Sequence, residues 1–292
     1  MAAPLFRLLG TTLKRFNADR CFNYSIVISY FTLMCAVPLV ALLAFATTKI
    51  LGSSELAIRS LNIFTEDFFA KFDPSFFKKL SGIAKNIANL GWFGLLGSFI
   101  AGSFLFSNLI NAINAIFKAQ TQKSFFYNRL MEYIIMFIIG VIMFFSLSIT
   151  TVWTALHRAI TASAFVRDNL NPDIMGLVDN FFIQYLIPFM LGFLVLFVIY
   201  KYIPETKVHT RPAVIAAAVG SVLWEIFKRI FVFYIANFSA VGIVLSKLLK
   251  GTLTSIIFFL LWISFSLAIL LWGAELAALL NERIPENKAE AA

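Results

Sequence analysis

Three charged side chains fall within one helical turn of a long apolar segment. Glu225, Lys228 and Arg229 are spaced so that both cations lie three or four residues after the carboxylate, where side chains of a helix can pair. An ionised side chain at the centre of a membrane span costs about 2.5–3.5 kcal/mol, and pairing lowers that cost. A pair of cations facing the interior of a bundle could bind a phosphate or a carboxylate. The alternative is an ion pair near the end of the helix whose long side chains reach the membrane surface.

A second group of polar side chains recurs along another apolar segment. Ser103, Ser107, Asn111, Asn114 and Lys118 follow one another at intervals of four, four, three and four residues, which places them on one face of a helix. Such a stripe could line a hydrated cavity, and we expect Ser107, Asn111 and Asn114 to line one substrate cavity together with Glu225, Lys228 and Arg229. The alternative is that these side chains form hydrogen bonds between neighbouring helices and hold them together.

One further carboxylate lies in the last apolar segment. Glu275 follows Gly273 and Ala274, and we expect it near the same membrane surface as Arg211. An ion pair between Arg211 and Glu275 would then connect the last two segments as a structural clamp. A carboxylate that couples transport to proton movement is the alternative.

The sequence lacks the groupings that soluble enzymes use. His157 and His209 are far apart and share no spacing with a carboxylate, and Cys21 and Cys35 do not have the spacing of metal ligands. There is no glycine-rich phosphate loop and no nucleophile motif. We therefore predict that the protein is not an enzyme and has no catalytic residue, no metal site and no cofactor.

Six apolar segments must position these residues. Hydrophobic residues make up 60% of the chain and charged residues 13%, far from the composition of soluble domains. Each segment provides the roughly 20 residues that a helix needs to cross the hydrocarbon core. The sequence predicts an all-α, polytopic membrane protein that forms a single domain over residues 1–292, with spans at about 24–50, 92–117, 132–156, 181–203, 212–236 and 253–280.

The connections between these segments carry most of the charge. The long connection contains amphipathic helical patterns over residues 55–90, which predicts helices at the outer membrane interface. Basic residues are densest before the first segment and in the second and fourth connections, which predicts both termini in the cytoplasm. We therefore expect the basic residues behind the net charge of +9 to contact lipid headgroups. The expected partners are membrane lipids rather than nucleic acid.

Several short motifs follow one another in order along the chain. They are Tyr30-Phe31-Thr32-Leu33, Val37-Pro38-Leu39, Asn111 to Phe117, Tyr200, Ile203-Pro204, Val208, Arg211-Pro212-Ala213, Trp224-Glu225, Lys228, Phe231, Tyr234, Phe238, Leu261-Trp262 and Gly273-Ala274-Glu275-Leu276. In this order they resemble the YihY/BrkB family of bacterial inner-membrane proteins. The Tyr-Gly element that the family usually carries between the last two segments is replaced here by Ala240-Val241-Gly242-Ile243.

This resemblance implies a role in the bacterial envelope, with export or flipping of an amphiphile as the leading hypothesis. The family has also carried the label ribonuclease BN, which the absence of clustered metal ligands argues against. We expect a multi-pass transporter or flippase-like protein of the inner membrane whose substrate is an anionic lipid or an envelope precursor. The alternative is a membrane scaffold or adaptor that does not transport. The substrate, the energy source and a homo-oligomeric state stay open at this stage.

Overall fold

The computed structural model describes residues 2–35, 92–119, 126, 129–138, 141, 186–237 and 252–283. Every regular element in these residues is a helix, which confirms the all-α prediction for this part of the chain. The helices are α1 (Ala2–Ala18), α2 (Cys21–Cys35), α3 (Trp92–Ile116), α4 (129–138), α5 (Ile187–Tyr202), α6 (Thr210–Asn237) and α7 (Thr252–Glu282).

The number of membrane spans stays a prediction. Among the described residues, one helix is long and apolar enough to cross a membrane by length and composition, over Ile256–Glu282 of α7. The described apolar parts of α2 and α5 are shorter. The amphipathic segment 55–90 and most of the third predicted span, 132–156, lie outside the described residues.

Helix α7 is the centre of the described bundle. Helices α1, α3, α5 and α6 all pack against it, and α6 also packs against α5. The side of α7 that faces these neighbours is lined by Leu271, Ala274, Leu276 and Ala277, whose side chains are buried. Small side chains allow helix backbones to approach closely, which supports packing where apolar lipid provides little driving force.

Helices α5 and α7 make a tight local contact at Tyr200 and Gly273. The Tyr200 side chain is fully buried, and its hydroxyl donates a hydrogen bond of 2.8 Å to the carbonyl oxygen of Leu270. Its ring lies directly over Gly273, where a Cβ atom would be 2.9 Å from Tyr200 Cζ. A glycine at position 273 is therefore required for the tyrosine to fit.

The connection between α5 and α6 is held by two asparagines from other helices. Asn114, near the end of α3, accepts a hydrogen bond of 3.0 Å from the backbone N–H of Glu205. Asn281, near the end of α7, accepts one of 2.9 Å from the N–H of His209 and donates one of 3.1 Å to the carbonyl of Lys207. The ends of α3, α5 and α7 and the start of α6 therefore meet at one end of the bundle.

Helix α1 is an element that the sequence analysis did not predict. It covers the same end of the bundle, where Thr12 and Phe16 are buried. Its Arg15 guanidinium donates hydrogen bonds of 2.9 and 2.7 Å to the carboxylate of Glu282 at the end of α7. The sequence analysis treated this segment only as polar and basic, although its apolar side chains recur at helical spacing.

Candidate functional site

The strongest candidate site is an ion pair in the second half of α6. Lys228 Nζ lies 2.6 Å from Oε1 of Glu225, and the two side chains are only 23% and 17% exposed. This oxygen of Glu225 is shielded from solvent and, among the described residues, accepts no hydrogen bond of regular geometry. The Lys228 ammonium is therefore the group that offsets the burial of the carboxylate.

The cation of this pair lies over one aromatic ring, which belongs to a group of rings between α6 and α7. Lys228 Nζ is 4.6 Å from the centroid of the Trp224 ring, which is within the range of a cation–π interaction. Trp224 donates from Nε1 to Ser266 Oγ of α7 at 3.3 Å, and its ring centroid is 6.3 Å from that of Trp262. Phe227 stacks on Trp262 at 5.0 Å. The ammonium is thus bounded by a carboxylate and by a ring that is anchored to the central helix.

The third member of the predicted charged turn, Arg229, differs from the other two in its exposure to solvent. Arg229 is exposed, whereas Glu225 and Lys228 are half-buried. The sequence analysis also missed the role of Trp224. Its position four residues before Lys228 was a usable signal, because residues at this spacing lie on the same face of a helix.

The polar stripe of α3 is divided among different environments. Ser107 is half-buried and Asn111 is exposed. Ser103 is buried and donates to the carbonyl of Ile100 in its own helix at 2.9 Å. Asn114 Nδ2 donates to the Glu205 carboxylate at 3.4 Å in addition to its bond with the backbone. Two of these four side chains, Ser103 and Asn114, therefore have hydrogen bonds within the protein.

The stripe and the charged pair also lie at different heights. Asn114 contacts the connection that leads into α6, whereas Glu225 follows the first residue of α6 by 15 positions. At 1.5 Å rise per residue this separation is about 22 Å along the helix. The structure therefore does not bring Asn114 to Glu225 and Lys228.

Glu275 forms a second polar cluster, at the end of the bundle that α1 covers. Its side chain is 1% exposed, and the Cys21 thiol donates to its Oε1 at 3.4 Å. The Asp19 side chain also lies against it, and Arg15 acts on it through longer-range electrostatics. The Arg15 guanidinium is bound to Glu282, which raises the pKa of Arg15 above its usual value.

The predicted clamp between Arg211 and Glu275 is not formed in the described residues. Arg211 is exposed at the start of α6, and the contacts of Glu275 come from Cys21 and Asp19 instead. The reason is α1, because the turn after this helix brings Asp19 against the end of α7. The sequence analysis placed no element there and so could not identify these neighbours.

Within the described residues, no three His, Cys, Asp or Glu side chains group in a way that could hold a metal ion. The chemistry that the described side chains offer is therefore ion pairing, hydrogen bonding and aromatic contact. The predictions that the protein has no cofactor and no enzymatic activity stay predictions.

Comparison with known proteins gives relatives of the whole chain. The family model described as virulence factor BrkB matches residues 12–292. A UPF0761 membrane protein of Acinetobacter baylyi is 28% identical over 282 residues, which are 93% of this chain and 61% of the relative. UPF0761 membrane proteins of Alteromonas mediterranea and Vibrio cholerae are 25% and 26% identical, covering 99% and 93% of this chain and 92% and 86% of those relatives.

This chain therefore spans about three fifths of the length of the Acinetobacter protein and most of the length of the other two. No solved structure matches it.

Proposed function

Because this chain belongs to the virulence factor BrkB family of membrane proteins, we propose that it moves an anionic or amphiphilic, lipid-like molecule across the bacterial inner membrane. In this proposal it acts as a transporter or flippase-like protein with several spans and with both termini in the cytoplasm. The observation that carries the proposal is the half-buried ion pair of Glu225 and Lys228 on the mostly apolar helix α6.

The ion pair is costly to place in a membrane protein. Both charges lose hydration, and their mutual attraction often does not recover the full penalty. Charged side chains inside membrane segments are therefore rare and commonly mark a substrate or ion pathway. Apolar side chains at these two positions would avoid this cost in a purely structural helix, which favours a functional reason for the pair.

An exposed apolar face of α6 suits a lipid-like substrate. Val222, Ile226, Ile230 and Phe233 recur along α6 and are exposed. With 3.6 residues per turn, this stripe lies about 120–160° around the helix from Lys228, and the exposed Arg229 is the cation that borders it. The stripe could contact acyl chains while the polar part of a substrate extended around α6 to the ion pair.

The proposed orientation is supported by the meeting of helix ends. The ends of α3, α5 and α7 and the start of α6 lie together, as they would if the predicted cytoplasmic connections shared one side of the membrane. Arg7, Lys14 and Arg20 are exposed near this end, in keeping with contact to anionic headgroups. Reporter fusions to the two termini would test the orientation.

The transport proposal can be tested in liposomes that contain fluorescent anionic lipids. We expect the purified protein to move the label between leaflets, and the double variant Lys228→Ala with Arg229→Ala to lose this activity. A matched control is Lys207→Ala with Arg283→Ala, which removes the same charge from exposed positions away from the pair. Equal activity of the two double variants would refute the assignment of the site.

A scaffold that does not transport is the second candidate, and the polar contacts between helices favour it. Ser264 of α7 donates to Ser29 of α2 at 2.9 Å, and Asn114 and Asn281 hold the connection before α6. In a scaffold these bonds would serve stability alone. Cysteine labelling along residues 103–118 distinguishes the two candidates, because only a hydrated path gives reagent access at every helical turn.

A further inference from the structure

We propose that the Glu225–Lys228 pair recognises a headgroup that carries both a primary amine and a phosphate. In the free protein the Lys228 ammonium occupies the place of that amine. This inference rests on the proposed function, since it names the chemical class of the molecule that the same site would take.

The first support is that the pair already forms a complete ammonium site. The positive group lies 2.6 Å from a carboxylate oxygen and 4.6 Å from the centroid of an indole ring. A carboxylate together with an aromatic face is the combination that binds ligand cations in proteins. In this structure the cation comes from Lys228, three residues along the helix from Glu225 and four from Trp224.

The second support is the balance of charge. If Lys228 left Glu225 to bind a singly charged anionic headgroup, the half-buried carboxylate would lose the cation that lies 2.6 Å from it. This arrangement carries the penalty of an unpaired buried charge, and the ligand phosphate would add repulsion. A headgroup with its own ammonium supplies the missing partner, so both protein charges stay paired.

The third support is the difference in mobility between the parts of the site. Trp224 is fixed by its hydrogen bond to Ser266 and by its contact with Trp262, so the ring side of the site is anchored to α7. Lysine has a flexible four-carbon stem and a compact charge, so Lys228 can move to a phosphate while its place is filled.

The arrangement of Glu225 and Trp224 also predicts which headgroup amines bind more tightly. A primary ammonium can donate hydrogen bonds to the Glu225 carboxylate and lie over the Trp224 ring. A quaternary ammonium has no N–H group and keeps only the electrostatic and ring contributions. We therefore expect ethanolamine headgroups to bind more tightly than choline headgroups, and glycerol headgroups to bind most weakly.

A binding experiment tests this order without requiring transport. The full-length protein in detergent is titrated with short-chain phosphatidylethanolamine, phosphatidylcholine or phosphatidylglycerol, and binding is followed by calorimetry. We expect the ethanolamine lipid to bind about tenfold more tightly than the glycerol lipid, because one hydrogen bond between charged groups contributes about that much to the affinity. Glu225→Gln should abolish that preference, and Lys207→Gln should preserve it.

The double variant Glu225→Gln with Lys228→Gln guards against misfolding, because it leaves no unpaired charge. It should remain folded and bind all three lipids equally weakly. Equal affinity of the wild-type protein for the three lipids, or an unchanged preference in Glu225→Gln, would overturn the inference.

A transport experiment with the same headgroups separates this inference from the proposed function. Movement of all labelled lipids at one rate, with loss in the Lys228 variant, would support transport and refute headgroup selection. Selective binding in detergent with no movement of any lipid would support the site and refute transport. Selective binding together with faster movement of the ethanolamine lipid would support both.

Discussion

The fit of Tyr200 over Gly273 predicts that Gly273→Ala destabilises the bundle. The added Cβ would overlap Tyr200 Oη and lie 2.9 Å from Cζ and 3.2 Å from Cε2 of the same ring. Tyr200 is fully buried, so its ring can move only by displacing neighbouring side chains. Overpacking of this kind costs about 1–3 kcal/mol.

Two smaller effects also contribute to the change in the free energy of unfolding caused by Gly273→Ala. Movement of the ring would break the hydrogen bond from Tyr200 to the Leu270 carbonyl, which contributes about 0.5–1.5 kcal/mol. Alanine is favoured over glycine within a helix by about 1 kcal/mol, which acts in the opposite direction. The expected net loss is therefore about 1–3 kcal/mol, a large fraction of the 5–15 kcal/mol typical of a folded domain.

The measurement is thermal unfolding of the detergent-purified protein, with Gly97→Ala as the matched control. A Cβ at Gly97 meets no atom within 4 Å, so this second helical substitution should leave stability unchanged or slightly raised. Adding Tyr200→Phe to Gly273→Ala removes the hydroxyl that overlaps most and should recover part of the loss. If Gly273→Ala is as stable as Gly97→Ala, or if the two effects simply add, the reasoning about this contact is wrong.

Other contacts at the covered end of the bundle give three more expectations. Asn281→Ala removes two hydrogen bonds to the connection 207–209 and should lower stability by about 1–3 kcal/mol, measured by thermal unfolding. Arg15→Ala breaks a partly exposed ion pair with Glu282 and should cost no more than about 1 kcal/mol, less in high salt, so a larger loss would contradict the surface character of this pair. The Cys21 thiol is fully buried and should react with maleimide only after denaturation in detergent, and fast labelling of the native protein would contradict this burial.

The sequence predicted the structure best where a long apolar segment forms a single helix. The segments predicted at 212–236 and 253–280 correspond to helices Thr210–Asn237 and Thr252–Glu282. The reason is physical, since a long and mostly apolar run must satisfy its backbone internally in lipid, and a helix does so along its whole length. Pro212 lies in the first turn of α6, where it removes no helical hydrogen bond.

The partners of polar side chains were harder to predict. The pairing of Glu225 with Lys228 follows from spacing within one helix, and the structure contains it. The neighbours of Glu275 come from a different helix and from the turn after α1, so they depend on packing that no local pattern encodes. Asn114 is a similar case, because its partner Glu205 lies 91 residues away in the chain.

The central position of α7 has a consequence for how the protein is made. This helix is the last of the described helices to leave the ribosome, yet α1, α3, α5 and α6 all pack against it. Until it is inserted, Tyr200 has no Leu270 carbonyl to bind and α1 has no Glu282 to pair with. We therefore expect a product that stops short of α7 to leave the packing faces of the earlier helices uncovered and to be degraded faster than the full chain.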